Sequence, residues 1–154
     1  MSNAKKKIMI AVDFSDYTEP SVRYGISLAK DLKAALLLVN VVNSRELMAI
    51  EKYLALQEPN LYQKYFDDTF ASRHNSLQSL LDVAAAQGVD GEKQVKTGVP
   101  YQELLDTIEK EKPDMLIIGT KGRSNLTDTI IGSCAQKMYR RCPIPLISLR
   151  PTKN

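Results

Sequence analysis

The sequence predicts a single α/β domain: an open, doubly wound, five-stranded parallel sheet with helices on both faces. Three observations predict it. Short apolar stretches alternate with amphipathic stretches of helical periodicity, which is the order of a parallel α/β sheet. The second apolar stretch is hydrophobic at nearly every position, as expected of a strand covered on both sides. The chain has 154 residues, 44% of them hydrophobic, without repeat or linker, so residues 1–154 fit one domain.

The first half of the chain predicts two strands and two helices. Residues 7–12, KIMIAV, form a short apolar run that predicts a buried strand. A helix follows near Pro20, because proline is favoured in the first turn of a helix. Residues 35–42, ALLLVNVV, predict the second strand. Residues 43–59 are expected to be irregular with some helical character, and a long helix spans roughly residues 61–87.

The second half predicts three more strands and two more helices. Residues 92–98 alternate in character, as expected of a strand near a sheet edge, and Pro100 opens the next helix. Residues 114–119, DMLIIG, predict the fourth strand. A helix from about residue 129 to 141 and a last strand over residues 144–149 complete the order.

Composition narrows the classes of partner. The net charge is +3, from 21 basic and 18 acidic side chains, which is too mild to indicate nucleic acid binding. No apolar run approaches the ~18 residues that span a bilayer, and no signal peptide is apparent. The two cysteines, Cys134 and Cys142, are too few for a disulfide framework. The sequence therefore predicts a cytoplasmic protein without nucleic acid or membrane partners.

The segment between the fourth strand and the last helix contains three of the seven glycines, Gly119, Gly122 and Gly132. Glycine allows a ligand to approach the backbone closely, and the amides at a helix start favour an anion such as phosphate. Ser133 adds a hydroxyl and Arg123 adds a positive charge. Glycines are also common in turns, and Ser133 could simply cap the helix. The residues alone leave phosphate binding and a structural turn both open.

Asp13 and Gly119 end the first and fourth predicted strands. If the strand order is 3-2-1-4-5, both lie where the winding direction reverses, which is where open α/β sheets bind ligands. Two segments about a hundred positions apart would then line one crevice. The alternative for Asp13 is a loop residue that caps the turn after the strand.

The glycine spacing also carries a family resemblance. Gly119, Gly122, Gly132 and Ser133 fit the G-2x-G-9x-G-S/T pattern of ATP-binding universal stress proteins. The text from Leu116 onward, LIIGTKGRSNLTDTIIGSCAQKMYRRCPIPLISLR, resembles the C-terminal third of that family, and IMIAVDFSDYTEPSVRYGISLAKDLKAALLLVNVV resembles its opening. TGVP at residues 97–100 also matches, whereas residues 43–92 match weakly.

The resemblance implies strand order 3-2-1-4-5 and a site for ATP, with Mg²⁺ or Mn²⁺. By motif position, the implied nucleotide-binding residues run from the adenosine end to the phosphates: Ala11, Asp13, Val41 through its backbone, Gly98 at the border, Gly119 near the ribose, then Gly122, Arg123, Gly132 and Ser133. Cys134 stands where the family often has valine, threonine or serine, and its small side chain is expected to leave the pocket intact.

The resemblance implies a nucleotide-dependent switch or sensor in the stress response. Members commonly form homodimers through the last strand, so residues 144–149 are expected to pair with a second copy. Two alternatives stay open: an interaction module that binds no nucleotide, and a weak ATPase. His74 is the single histidine, which limits the options for a Ser-His-Asp set. No nucleophile with a nearby base can be named, so no catalytic residue is predicted.

Overall fold

The computed structural model describes residues 4–120 and 131–150. Their strands form one parallel sheet in the order β3-β2-β1-β4-β5, so the predicted fold class and strand order are confirmed. The strands are β1 (Lys7–Ala11), β2 (Ala35–Asn43), β3 (Gly91–Gly98), β4 (Met115–Gly119) and β5 (Leu146–Leu149). The helices are α1 (Thr18–Leu32), α2 (Ser44–Ala55), α3 (Leu61–Ala86), α4 (Pro100–Glu111) and α5 (Ser133–Arg141).

The two faces of the sheet carry separate cores. In β1, Ile8 and Ile10 point to one face and Met9 to the other, and all three are fully buried. Helices α1 and α3 cover the first face, and α4 and α5 cover the second. Successive strand residues point to opposite faces, so a strand covered on both sides must be apolar throughout. This explains the continuous apolar runs in β1 and β2.

Helix α1 approaches the sheet closely at Gly25. A Cβ atom at this position would overlap the Cδ1 atom of Ile10 and would lie 3.4 Å from the Cδ1 atom of Ile117. The helix therefore lies directly over the junction of β1 and β4, and its first turn lies towards the carboxyl ends of these two strands.

The structure gives the boundaries of the helices. Helix α1 begins at Thr18, which places Pro20 in its first turn as predicted. The stretch predicted to be irregular with some helical character contains α2, whose N-terminus is capped by the Asn43 side chain accepting from Arg45 N–H at 3.0 Å. Helix α5 begins at Ser133 rather than near residue 129, because Gly132 has an extended ψ of 148°.

The strand ends needed smaller corrections. Asp114 precedes β4, and its carboxylate accepts from the Lys7 backbone N–H at 2.8 Å. Strand β5 begins at Leu146, two residues later than expected, directly after Pro145. As predicted, β3 lies at a sheet edge. Among the helices of the described residues, none is both long and apolar enough to cross a membrane.

Candidate functional site

A cleft of about 290 Å³ opens at the carboxyl ends of β1 and β4. Because the sheet is parallel, the ends of these strands and the starts of the helices that follow them meet at this edge. The chain reverses its winding direction between β1 and β4. The cleft therefore lies where the strand order predicts a ligand site.

The structure brings most of the predicted site residues to this cleft. Seven line it: Ala11, Asp13, Val41, Gly119, Gly132, Ser133 and Cys134. Gly98 is absent from the described lining, but it pairs in register with Asn43 and lies two residues before Pro100, both of which line the cleft. Gly122 and Arg123 lie outside the described residues.

Hydrogen bonds from the backbone and from two side chains hold the β1 side of the cleft. Val12 N–H donates to Val39 O at 2.8 Å, and the buried Asn40 side chain donates to Val12 O at 2.7 Å. Asp13 follows directly, and its Oδ1 atom accepts from Ser15 N–H at 3.0 Å. These bonds extend the β1–β2 pairing by one residue and fix the position from which Asp13 borders the cleft.

The opposite wall is the N-terminus of α5. Gly132 N–H donates to Thr120 O at 2.9 Å, and the first bond of the helix runs from Gln136 N–H to Gly132 O at 2.9 Å. The backbone N–H groups of Ser133, Cys134 and Ala135 therefore have no acceptor within the helix. No side chain from residues 4–120 or 131–150 caps this end, and its first turn has no acidic residue. Three residues with unused donors thus border the cleft, which suits an anion.

Sequence reasoning missed the contribution of the first turns of α1. Tyr17 packs against Gly119 so closely that a Cβ atom on Gly119 would lie 2.7 Å from Tyr17 Cβ. Thr18 and Ser21 also line the cleft, and their buried hydroxyl oxygens have no hydrogen-bond partner within the described parts of the chain. Two hydroxyl residues three positions apart at a helix start share one face. The spacing of Thr18 and Ser21 could therefore have indicated from the sequence that α1 contributes to the site.

The described lining carries negative rather than positive side chains. Asp13 and Glu46 supply carboxylates, and no Lys or Arg from the described residues lines the cleft. Burial raises the pKa of the Cys134 thiol to about 11, and the Asp13 carboxylate adds to the rise. Within residues 4–120 and 131–150, no three His, Cys, Asp or Glu side chains are grouped to hold a metal ion. Among the described residues, the groups that suit an anion are therefore the backbone N–H groups at the start of α5.

A model of the universal stress protein family matches residues 5–150, nearly the whole chain. The chain belongs to the universal stress protein family. It is 24% identical over 152 residues to universal stress protein MJ0531 of Methanocaldococcus jannaschii, covering 99% of this chain and 86% of that one.

Solved structures of universal stress proteins share the fold. The structure of MJ0577 superposes with a TM-score of 0.81 at 19% identity, covering 97% of this chain and 98% of that one. A universal stress protein from Archaeoglobus fulgidus, solved in complex with dAMP, superposes with a TM-score of 0.67 at 17% identity, covering 94% and 98% of the two chains. At identities this low, the superpositions establish the common fold alone.

Proposed function

We propose that this universal stress protein binds ATP in the cleft between β1 and β4. The observation that carries the proposal is the N-terminus of α5, which no described side chain caps and whose first N–H groups, without acceptors in the helix, border the cleft. A triphosphate supplies the oxygens that these groups lack, and the helix dipole favours its negative charge. Gly132 leaves room for the phosphates to reach the backbone. By their positions in the glycine motif, Gly122 and Arg123 are assigned to the phosphates as well.

The adenosine end of the ligand lies towards β1 and β2. Ala11 and Val41 give this part of the cleft apolar walls, and Asp13 offers a carboxylate to the ribose hydroxyls. Gly119 lies between the two ends, and Gly98 borders the pocket. The buried hydroxyls of Thr18 and Ser21 also suit a polar ligand, since buried polar groups rarely stay unpaired in a working complex. The dAMP bound by the Archaeoglobus fulgidus relative is also an adenine nucleotide.

A divalent ion, Mg²⁺ or Mn²⁺, accompanies the nucleotide. The described residues provide two carboxylates at the cleft, Asp13 and Glu46, but no cluster of three metal-ligating side chains. This set fits an ion held mainly by the phosphate oxygens, as is usual for Mg²⁺. The ion's charge offsets the repulsion between the phosphates and these carboxylates.

The bound nucleotide acts as a switch or sensor in the cytoplasmic stress response. A ligand that bridges β1 and α5 changes the equilibrium between conformations only through its different affinities for them. No group from the described residues is assembled to activate water, so retention of ATP is favoured over turnover. A nucleotide-free interaction module and a weak ATPase are the competing functions.

Calorimetry of the nucleotide-free protein with ATP and Mg²⁺ tests the proposal. Asp13→Ala removes a charged hydrogen-bond acceptor and should weaken binding at least tenfold, since such bonds contribute ~1.5–3 kcal/mol. Gly132→Val should abolish binding while preserving the fold, because φ −58° and ψ 148° at Gly132 suit valine. The matched control is Asp31→Ala, an exposed aspartate near the opposite end of α1.

Denaturing mass spectrometry of freshly purified protein gives a second measurement. Bound ATP or ADP supports the switch, whereas an empty protein that also shows no calorimetric heat identifies the interaction module. Phosphate release over hours, lost in Asp13→Ala, would identify the ATPase. Equal ATP affinity in the wild type, Asp13→Ala and Gly132→Val would contradict the proposed site.

A further inference from the structure

Phe14, the residue after Asp13, has a left-handed backbone conformation with φ 59°. Among the described non-glycine residues, Lys33 and Lys112 share this feature, but both are helix C-caps whose N–H groups bond back to the helix. Phe14 lies instead in the turn between β1 and α1. A bulky residue is disfavoured in this region of backbone space, and such residues often mark functional sites.

The surroundings of Phe14 account for its conformation. Its ring packs against the core on the α1 and α3 face of the sheet. The Arg73 guanidinium of α3 lies over the ring, with the Cζ atom 5.3 Å from the ring centroid. Cation–π contacts of this kind are favourable, and more so when they exclude water. The aromatic side chain is therefore held on the α3 side, while Asp13 borders the cleft.

A continuous set of hydrogen bonds connects this turn to α1. Asp13 Oδ1 accepts from Ser15 N–H, and Ser15 O accepts from Thr18 N–H at 3.1 Å. Ser15 Oγ also accepts from Tyr17 N–H at 3.2 Å. If Phe14 left its left-handed conformation, the chain direction between Asp13 and Ser15 would change, and Asp13 would move relative to the cleft.

We propose that Arg73 is a positioning residue for the ligand site, acting through Phe14. Its contact with the ring holds the β1–α1 turn in the conformation that places Asp13 at the cleft. Arg73 is not among the described residues that line the cleft. This inference rests on the proposed nucleotide binding, because Asp13 acts there on the adenosine part of the ligand.

A double-mutant cycle tests the route through Phe14. Arg73→Met and Phe14→Leu should each weaken ATP binding about 3- to 10-fold. The double variant should lose no more ATP affinity than the single variant with the larger loss. Arg73→Lys keeps the cation and should restore most of the affinity. Arg73 has further contacts, and the cycle separates their effect from the effect through the ring. Arg23→Met, which removes an exposed arginine paired with Glu19, is the matched control.

Inorganic tripolyphosphate provides a readout that general destabilisation would not give. It offers phosphates to α5 but has no ribose for Asp13, so Arg73→Met should leave its affinity unchanged while ATP affinity falls. Equal loss for both ligands, or additive effects in the cycle, would overturn the inference. A wild type that binds tripolyphosphate but not ATP would overturn it as well, and one that binds neither would also overturn the proposed function.

The reactivity of Cys134 reports on Asp13 without any ligand. The Asp13 carboxylate helps raise the pKa of this thiol, so Asp13→Asn should accelerate its alkylation. Arg73→Met should also accelerate the alkylation of Cys134, and it should not change the rate further in the Asp13→Asn background. An unchanged alkylation rate in Arg73→Met would contradict the positioning role.

Discussion

Gly119 and Tyr17 show how one missing side chain shapes the cleft. A Cβ atom at position 119 would lie only 2.7 Å from Tyr17 Cβ, so alanine would not fit there without a backbone shift. The end of β4 and the start of α1 can therefore approach each other only if residue 119 is glycine. The glycine predicted to serve a ligand thus also has a packing role, and a substitution there would disturb both.

Cys134 offers a chemical test of the electrostatics at the cleft. Its thiol pKa of about 11, against an ordinary value of 9.0, lowers the thiolate fraction near pH 8. Because the thiolate is the reactive form, alkylation should be about 100-fold slower than in the denatured chain. Asp13→Asn removes a nearby negative charge, lowers this pKa and should speed the reaction.

Peptide mapping of iodoacetamide-treated protein measures this prediction. Lys137 and Arg141 separate Cys134 from Cys142, so trypsin places the two cysteines on different peptides. Cys142 is outside the described cleft lining and serves as the internal control. Faster alkylation of both cysteines in Asp13→Asn would indicate a loosened fold, and an unchanged Cys134 rate would contradict the predicted influence of Asp13.

At the scale of the elements, α1 connects the sheet core to the cleft. Gly25 allows its middle to lie against Ile10 and Ile117, and the preceding turns bring Tyr17, Thr18 and Ser21 to the cleft. The distance between α1 and the sheet therefore also determines the width of the cleft on this side.

Gly25→Val should destabilise the protein by ~1–3 kcal/mol, because extra methyl groups would overpack the contact with Ile10. Ser27→Val is the matched control, since Ser27 is exposed on the same helix and reports the helix propensity of valine alone. Urea denaturation measures both free energies of unfolding. If the two variants unfolded at the same urea concentration, close packing at Gly25 would not be required.

At the scale of the whole molecule, β5 is an edge strand that pairs only with β4 among the described strands. The carbonyl of Pro145 accepts from Leu116 in β4, and the carbonyl of Leu149 accepts from Thr120, the residue after β4. The backbone groups of the alternate residues Leu146 and Ser148 therefore face the free edge. Unpaired edge groups of this kind can pair with a second chain. We therefore propose a homodimer formed through β5.

Ser148→Pro removes one outward-facing N–H group and should weaken the dimer at least tenfold, with little change in the β4 pairing. Ser148→Ala is the matched control, because it also loses the side-chain contact with Tyr139 but keeps the backbone donor. Light scattering across a concentration series measures the association. A monomeric wild type, or a Ser148→Pro dimer of normal affinity, would contradict the β5 interface.

The strands and their order could be predicted because periodicity and chain order are local signals. Apolar runs identified β1, β2 and β4, and the family resemblance supplied the order. Helix α2 was expected only as some helical character within an irregular stretch, because its start depends on a capping bond from the Asn43 side chain, which apolar periodicity does not reveal. The start of α5 was misplaced because apolar Ile131 resembles a helical position, whereas the backbone of Gly132 is extended.

The candidate site could be predicted for residues at motif positions, but not for residues whose roles depend on tertiary packing. The strand ends and the glycine spacing led to Asp13, Gly119, Gly132 and Ser133, which the structure brings to one cleft. The roles of Tyr17 and Phe14 depend on tertiary contacts with Gly119 and Arg73, which no local pattern in the sequence contains.

The position of β4 between β1 and β5 has a consequence for synthesis on the ribosome. Strands β1, β2 and β3 neighbour one another in the sheet, so a nascent chain can pair them while β4 is still untranslated. Throughout that interval β1 has a bare edge, and neither Gly119 nor the amides of α5 have emerged. A small molecule that binds in the cleft can therefore stabilise only the completed fold, and the first strands must pair without it.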